Sequence, residues 1–260
     1  MDQKLAFYEL QGQIAIVTID HPPMNALDAS TKEALAEVFE EMEDRRQEIR
    51  AVILRGAGEK AFAAGADIKT FLELSPDIAR WRLSRSHQIY SIVENFSWPV
   101  IAAIHGFCLG AGLELALCCD IRYAEESAKL GFPEVNLSVF PGNGGIPRSL
   151  YHLPLGKLKE LVFTGEIISA TEALSLGLVE KVVPPGKSLE ACLELAAKIV
   201  EKGPLGVSSA KKVINRARDL TIQQGLELET ELWSSLTATE DMKEGARAFL
   251  EKRKPRYRCQ

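Results

Sequence analysis

Glu114 stands in the run Gly106-Phe-Cys-Leu-Gly-Ala-Gly-Leu-Glu-Leu-Ala-Leu-Cys-Cys-Asp120, flanked by Leu113 and by Leu115, Ala116, Leu117, Cys118 and Cys119. A carboxylate among side chains that exclude water is costly unless something holds it. An acid placed there suits general acid–base chemistry better than it suits a solvated surface complementing a helix dipole. Gly110-Ala-Gly112 reads as the entry to a helix, which would leave the Ala111 amide and its neighbours unpaired and facing developing negative charge. A second acid, Glu134, occupies similar company in Leu130-Gly-Phe-Pro-Glu-Val-Asn-Leu-Ser-Val-Phe-Pro-Gly-Asn-Gly-Gly145. A third stretch, Ala61-Phe-Ala-Ala-Gly-Ala-Asp-Ile-Lys69, is small enough for its backbone N–H groups to approach a ligand closely. Taken singly, the last two also read as an acid capping a helix and as a plain tight turn. Together the three segments point to two acids and two sets of amides around one site.

Elements must bring these segments together. Ile14 to Ile19 is β-branched between Gly12 and Asp20-His-Pro-Pro23, and it reads as a strand. Residues 31–45 carry Leu35, Val38, Phe39 and Met42 on one helical face, with Ser30 or Thr31 as the cap and Glu33 completing a capping box. Ala51–Leu54 and Val100–Ile104 read as short buried strands, each followed by a Gly-rich loop and a helix start. A further strand is expected at Val179–Val183, then helices near 188–202, 205–218, 222–237 and 241–253. The pattern divides the chain into a mixed α/β core, 1–190, and a helical region, 191–260.

The bulk numbers fit a soluble globular protein. A chain of 260 residues buries roughly 70–75% of its unfolded surface and needs neither disulfides nor metal to fold. A net charge of −5 argues against nucleic-acid binding by bulk electrostatics. Five cysteines without C-x-x-C spacing suit reduced thiols and a cytoplasmic location. The start, MDQKLAFYELQGQ, shows no secretory pattern, and the least polar window, 99–113, is too short for a membrane span. His21, His87, His105 and His152 lack ligand spacing, so no metal site is expected, and His105 reads as a core histidine. No G-x-S-x-G elbow or G-x-G-x-x-G fingerprint is present, which disfavours a serine hydrolase and a nicotinamide oxidoreductase.

Over essentially its full length the chain resembles the crotonase superfamily of enoyl-CoA hydratases and isomerases, and among them bacterial short-chain enoyl-CoA hydratases. The resemblance is carried by AAGADIK (63–69), IAAIHGFCLGAGLELALCCDIRYA (101–124), LGFPEVNLSVFPGNGG (130–145) and AFLEKRKP (248–255). It implies an α/β fold, a spiral of β-β-α units with a C-terminal helical region that builds trimers, often paired into hexamers. It implies Glu114 and Glu134 as the catalytic acids, Glu114 mainly on the attacking water and Glu134 mainly on the Cα proton. The oxyanion hole for the thioester oxygen falls on the amides of Ala66 and Ala111. Ala64, Gly65, Asp67, Ile68, Lys69, Gly110, Gly142, Trp233, Phe249 and Lys252 fall where the family meets substrate or coenzyme A, the last two reaching from a neighbouring subunit. The implied reaction is reversible syn addition of water to a trans-2-enoyl-CoA, as in fatty-acid β-oxidation, with no cofactor beyond the substrate's own coenzyme A. The alternatives are a Δ3-Δ2 enoyl-CoA isomerase, a cyclic dienoyl-CoA hydratase, or a non-catalytic acyl-CoA- or RNA-binding protein on the same fold. Isomerases of the family usually keep only the second acid, so Glu114 favours hydration. Asn136 and Ser138 stand where short-chain hydratases usually carry an apolar residue and a glycine, and Gly145-Ile-Pro-Arg148 replaces Gly-Thr-Gln-Arg. These departures leave the acyl group open. Without the resemblance, the basic tail Lys252–Arg258 reads as a solvated end.

Overall fold

The computed structural model of the chain describes residues 4–65 and 68–260. β1 (Ala6–Gln11) and β2 (Ile14–Ile19) form an antiparallel hairpin that turns at Gly12, where φ is +61°. Helix α1 (Ala29–Asp44) begins slightly earlier than its periodicity predicts. Its cap is Asp28, whose side chain accepts from the Thr31 N–H at 2.8 Å. The expected capping box therefore does not form: the Thr31 hydroxyl lies 2.8 Å from His21 Nδ1, and Glu33 pairs with Arg85 at 2.6 Å.

Next come β3 (Ala51–Gly56), β4 (Ala61–Ala64), a 3-10 turn (Ile68–Glu73) and α2 (Pro76–Glu94). The same order repeats as β5 (Val100–Ile104), β6 (Phe107–Leu109) and α3 (Ala111–Ala116), and again as β7 (Ile121–Glu125), β8 (Lys129–Gly131), a 3-10 turn (Pro133–Leu137) and α4 (Gly145–Ser149). Each segment that reads as a Gly-rich loop thus opens with a short second strand. The unit is β-β-α, a spiral of the crotonase type, rather than β-then-α. The remaining elements are α5 (Leu155–Thr164), β9 (Ile167–Ser169), α6 (Ala170–Ser175), β10 (Lys181–Val183), α7 (Ser188–Val200), α8 (Pro204–Ala217), α9 (Ile222–Leu236) and α10 (Glu240–Leu250).

The first strand of each unit joins a six-stranded sheet ordered β1-β2-β3-β5-β7-β10, and the second joins a four-stranded sheet ordered β4-β6-β8-β9. From β2 onward the large sheet is parallel and covered on both faces. Ile14, Ala51, Ile53, Ile101 and Ala103 pack under Cys192 and Ala196 of α7, while Val52, Leu54, Val100, Ala102 and Ile104 join the main core with Leu35 and Phe39 of α1. Two-sided burial explains why these strands are continuous apolar runs without alternation. His105, just after β5, is buried as expected.

The small sheet positions the site. Its register aligns Ala64 with Leu109 and Leu109 with Gly131, all in parallel strands. Gly65, Gly110-Ala111 and Phe132-Pro-Glu134 follow these residues, so they emerge side by side at the strands' carboxyl ends, where α/β sheets place ligands. Asn25 anchors the start of β4, donating from Nδ2 to Ala57 O at 2.9 Å and to Ala61 O at 2.7 Å.

The C-terminal helices are pinned to the core by Lys211 of α8, whose ammonium meets Asp120 Oδ2 at 2.8 Å and Trp98 O at 3.0 Å, all largely buried. The basic tail keeps its charged side chains exposed, as a solvated end would, while its backbone is docked. Asp241 accepts from the amides of Arg258 (2.7 Å) and Cys259 (2.9 Å), and Arg50 Nη2 donates to Tyr257 O at 2.8 Å. Charge density in the sequence hid this, because backbone groups make most of the contacts. Among the described residues no helix is long and apolar enough to cross a membrane.

Candidate active site

Glu114 lies in α3 and is fully buried. Three donors converge on its carboxylate: the Asn143 amide on Oε1 at 2.7 Å, the Gly145 amide on Oε1 at 3.0 Å, and Asn143 Nδ2 on Oε2 at 2.6 Å. A carboxylate offers about four lone-pair directions, so this arrangement leaves roughly one for a further donor such as water. Gly145 is required at close range. A Cβ there would lie 2.8 Å from Glu114 Cγ and 2.9 Å from Phe132 Cε1.

Glu134 sits in the 3-10 turn after β8, half-buried, and its Oε2 is buried without a partner among the described residues. Burial is the main reason its carboxyl is pushed up to about 7, and the nearby charge of Glu114 adds to this. Two acids thus share one site in opposite surroundings, one gripped by three N–H donors and one with a buried oxygen that has no partner among the described residues. Such a contrast divides acid from base roles.

Ala111 is the first residue of α3, so its N–H has no intrahelical acceptor. Its geometry is set from both sides. Tyr90 of α2, fully buried, donates to Ala111 O at 2.9 Å, and the Gly110 amide donates to Gly131 O at 2.9 Å. Gly110 has φ +55°, and a Cβ on it would lie 2.9 Å from Glu134 Oε1. Glycine there lets the α3 entry and the second acid meet.

Ala64 ends β4 and Gly65 follows it with φ +89°. Ala66 and Asp67 lie outside the described residues, as do the side chains of Ile68 and Lys69. Gly142 is on the loop that feeds Glu114, and its carbonyl is 2.7 Å from His87 Nε2. Trp233 lines a groove with Ser209, Val213, Leu232 and Leu236 of the C-terminal helices, and Phe249 is 83% exposed on α10. Lys252 follows α10 with φ +53°.

Asn136 and Ser138 bracket Leu137 at the close of the 3-10 turn that carries Glu134. Asn136 lies against Gly165 at the end of α5, and Ser138 takes φ +58° at the close of the 3-10 turn. That left-handed backbone is one that glycine adopts without strain. Leu137 and Val139 instead line an apolar groove of about 700 Å³ with Phe71, Leu72, Leu74 and Ala79. Arg148, in the departing Gly-Ile-Pro-Arg segment, pairs with Glu94 at 2.7 Å and braces the carbonyls of Asn143 and Gly144.

Four positions at the site escape the sequence reading: Lys32, Ser86, Tyr90 and Asn143. Lys32 donates to Ser86 Oγ (2.9 Å) and to Asn143 Oδ1 (3.1 Å). A signal was available, since Lys32 falls on the same helical stripe as Leu35, Phe39 and Met42, where a cation is out of place.

A sequence profile of the enoyl-CoA hydratase/isomerase family matches residues 9–260. The short-chain-enoyl-CoA hydratase of Clostridium acetobutylicum is 41% identical over 255 residues, covering 98% of this chain and 97% of that protein. The crotonyl-CoA hydratase of Syntrophomonas wolfei is 38% identical over 250 residues, covering 96% of each. The crystal structure of an enoyl-CoA hydratase from Bacillus anthracis superposes with a TM-score of 0.93 at 37% identity, covering 98% of this chain and all of that one. A match across both sheets and the helical tail, at this identity, leaves no separate segment to account for: the chain belongs to the enoyl-CoA hydratase/isomerase family.

Proposed function

We propose that the chain is an enoyl-CoA hydratase that adds water reversibly to a trans-2-enoyl-CoA. The observation that carries this reading is the pair of acids in one site, Glu114 held by three donors and Glu134 bare and pushed up to about 7. Hydration needs both kinds. Water held on the open lone pair of Glu114 gives up a proton to that carboxylate as its oxygen bonds to Cβ. Charge then moves onto the thioester oxygen, which the amides of Ala111 and Ala66 receive; one such donor is worth roughly 3–4 kcal/mol in the transition state. Protonated Glu134 delivers its proton to Cα, and a pair of acids on one face of the alkene gives syn addition. Isomerisation alone needs a single acid–base group and leaves the Glu114 cradle without a purpose.

The apolar groove at Phe71, Leu72, Leu137 and Val139 suits an apolar acyl tail rather than a charged one. No cofactor is required beyond the coenzyme A of the substrate. The reading extends to a cytoplasmic homotrimer or homohexamer in which 191–260 mediates assembly and completes the coenzyme A site through Trp233, Phe249 and Lys252. The test is loss of enoyl-thioester absorbance when the protein meets crotonyl-CoA. Rapid loss with formation of 3-hydroxybutyryl-CoA is expected. Binding without turnover would leave the family assignment standing and remove the hydratase.

A further inference from the structure

We propose that Lys32 is a positioning residue that fixes which way the Asn143 amide faces and thereby aims the Glu114 carboxylate. This rests on the hydratase reading for its kinetic consequence, though not for its geometry. Asn143 is a bridge: Oδ1 accepts from Lys32 Nζ at 3.1 Å, and Nδ2 donates to Glu114 Oε2 at 2.6 Å. An amide side chain is nearly symmetric in shape, so packing alone does not choose between its two orientations. An ammonium does choose, because it has three donors and no acceptor. Facing Lys32, Asn143 must present Oδ1, and Nδ2 is then left for Glu114. In the reverse orientation Oδ1 would point at a carboxylate, setting acceptor against acceptor inside a buried site.

The ammonium itself is held on the other side. Its second partner is Ser86 Oγ at 2.9 Å on α2, and it lies 5.8 Å from the centre of the Tyr90 ring. The charged groups that act on it are Asp28 at the start of α1 and Glu114, while Glu33 is already paired with Arg85. Burial lowers Lys32 to about 8, with both carboxylates opposing the shift. At pH 6.5 it is therefore a donor only. Lys32 on α1 thus donates two ways, to Ser86 Oγ on α2 and through Asn143 to Glu114 on α3.

The test is a double-mutant cycle of Lys32→Met and Asn143→Ala, with crotonyl-CoA at pH 6.5. Each single variant is expected to lower kcat roughly 10- to 100-fold, the cost of an ångström-scale misplacement, with KM changed less than about twofold. The double variant should be close to Asn143→Ala alone, since the amide carries the larger part of the effect of Lys32 and its direct charge interaction with Glu114 the smaller. If Lys32→Met does not fold, Lys32→Gln enters the same cycle with the same expectation, because its amide accepts either orientation of Asn143. In parallel, the Asn143 side-chain NH2 signals in 15N–1H spectra should be slow to exchange in the native protein and lose that protection in the Lys32 variant. This readout holds whether or not crotonyl-CoA is the substrate, so failure of the hydratase reading would show as absent native turnover with the amide signals still responding. A Lys32 variant with native kcat, losses that add in the double variant, or unchanged Asn143 protection would each overturn the positioning role.

Discussion

A carboxylate gripped by three N–H groups and one with a bare buried oxygen respond oppositely when the charge is removed. Glu134→Gln replaces a group whose folded form is pushed up to about 7 from an ordinary 4.5. Between those values the native state binds more protons than the unfolded chain, so the glutamate loses stability as pH rises through the window and carries the full burden above about 7. Glutamine carries none. The variant should therefore match the native protein near pH 4.5 and exceed it at pH 8 by about 2–3 kcal/mol, read from urea midpoints at both pH values, while kcat falls at least 100-fold. Glu114→Gln should do the reverse. Its NH2 would face the Asn143 or Gly145 amides, which need acceptors, and the protein should lose about 1–3 kcal/mol at either pH together with activity. Equal melting changes in the two variants would remove the contrast on which the acid and base assignments rest.

At the scale of elements, the question is why three loops distant in sequence converge. The answer is the register of β4, β6 and β8, and the sequence hid it for a physical reason: strands of three and four residues carry too little pattern to show a period of two. They were legible only as Gly-rich loops after the longer β3 and β5, whose apolar runs are plain. Helix cores were legible from their stripes, whereas the α1 start was not, because Asp28, Ser30 and Thr31 are all good caps and only the fold decides that Thr31 faces inward. Glu114 and Glu134 stood out as acids in apolar company. Lys32 and Asn143 did not, since their meaning lies in a contact across 111 residues. The convergence itself is testable at Gly110, where φ +55° and ψ −124° suit glycine alone and a Cβ would press on Glu134 Oε1. Gly110→Ala should cost about 1–3 kcal/mol of stability and lower kcat more than it raises KM. A variant with native kcat would show that the α3 entry and Glu134 do not share the space the structure gives them.

For the molecule as a whole, α7 is packed on the large sheet by buried apolar side chains, whereas α8 to α10 bury few residues within one chain. Ile222 is 83% exposed and Leu250 80%, so α9 and α10 gain little from burial within one chain. Lys211 and Asp120 therefore have a large share in holding α8 down. Asp120 also accepts from the Val100 amide at 2.7 Å, which ties the clamp to the start of β5. Burial raises the Asp120 carboxyl despite the attraction of Lys211, so desolvation is the larger effect and the pair is there to fix position more than to add stability. Removing only the cation leaves a buried carboxylate with one amide. Lys211→Met should cost about 3–5 kcal/mol, and hydrogen exchange should show the loss concentrated in α8 and α9 rather than in the large sheet. If Trp233, Phe249 and Lys252 complete a coenzyme A site, the same variant should raise KM for the thioester while leaving kcat at saturation close to native, because Glu114 and Glu134 hang from the small sheet and not from the clamp. A fall in kcat with KM unchanged would mean that the helices support the acids directly, and the division of labour between core and extension would fail.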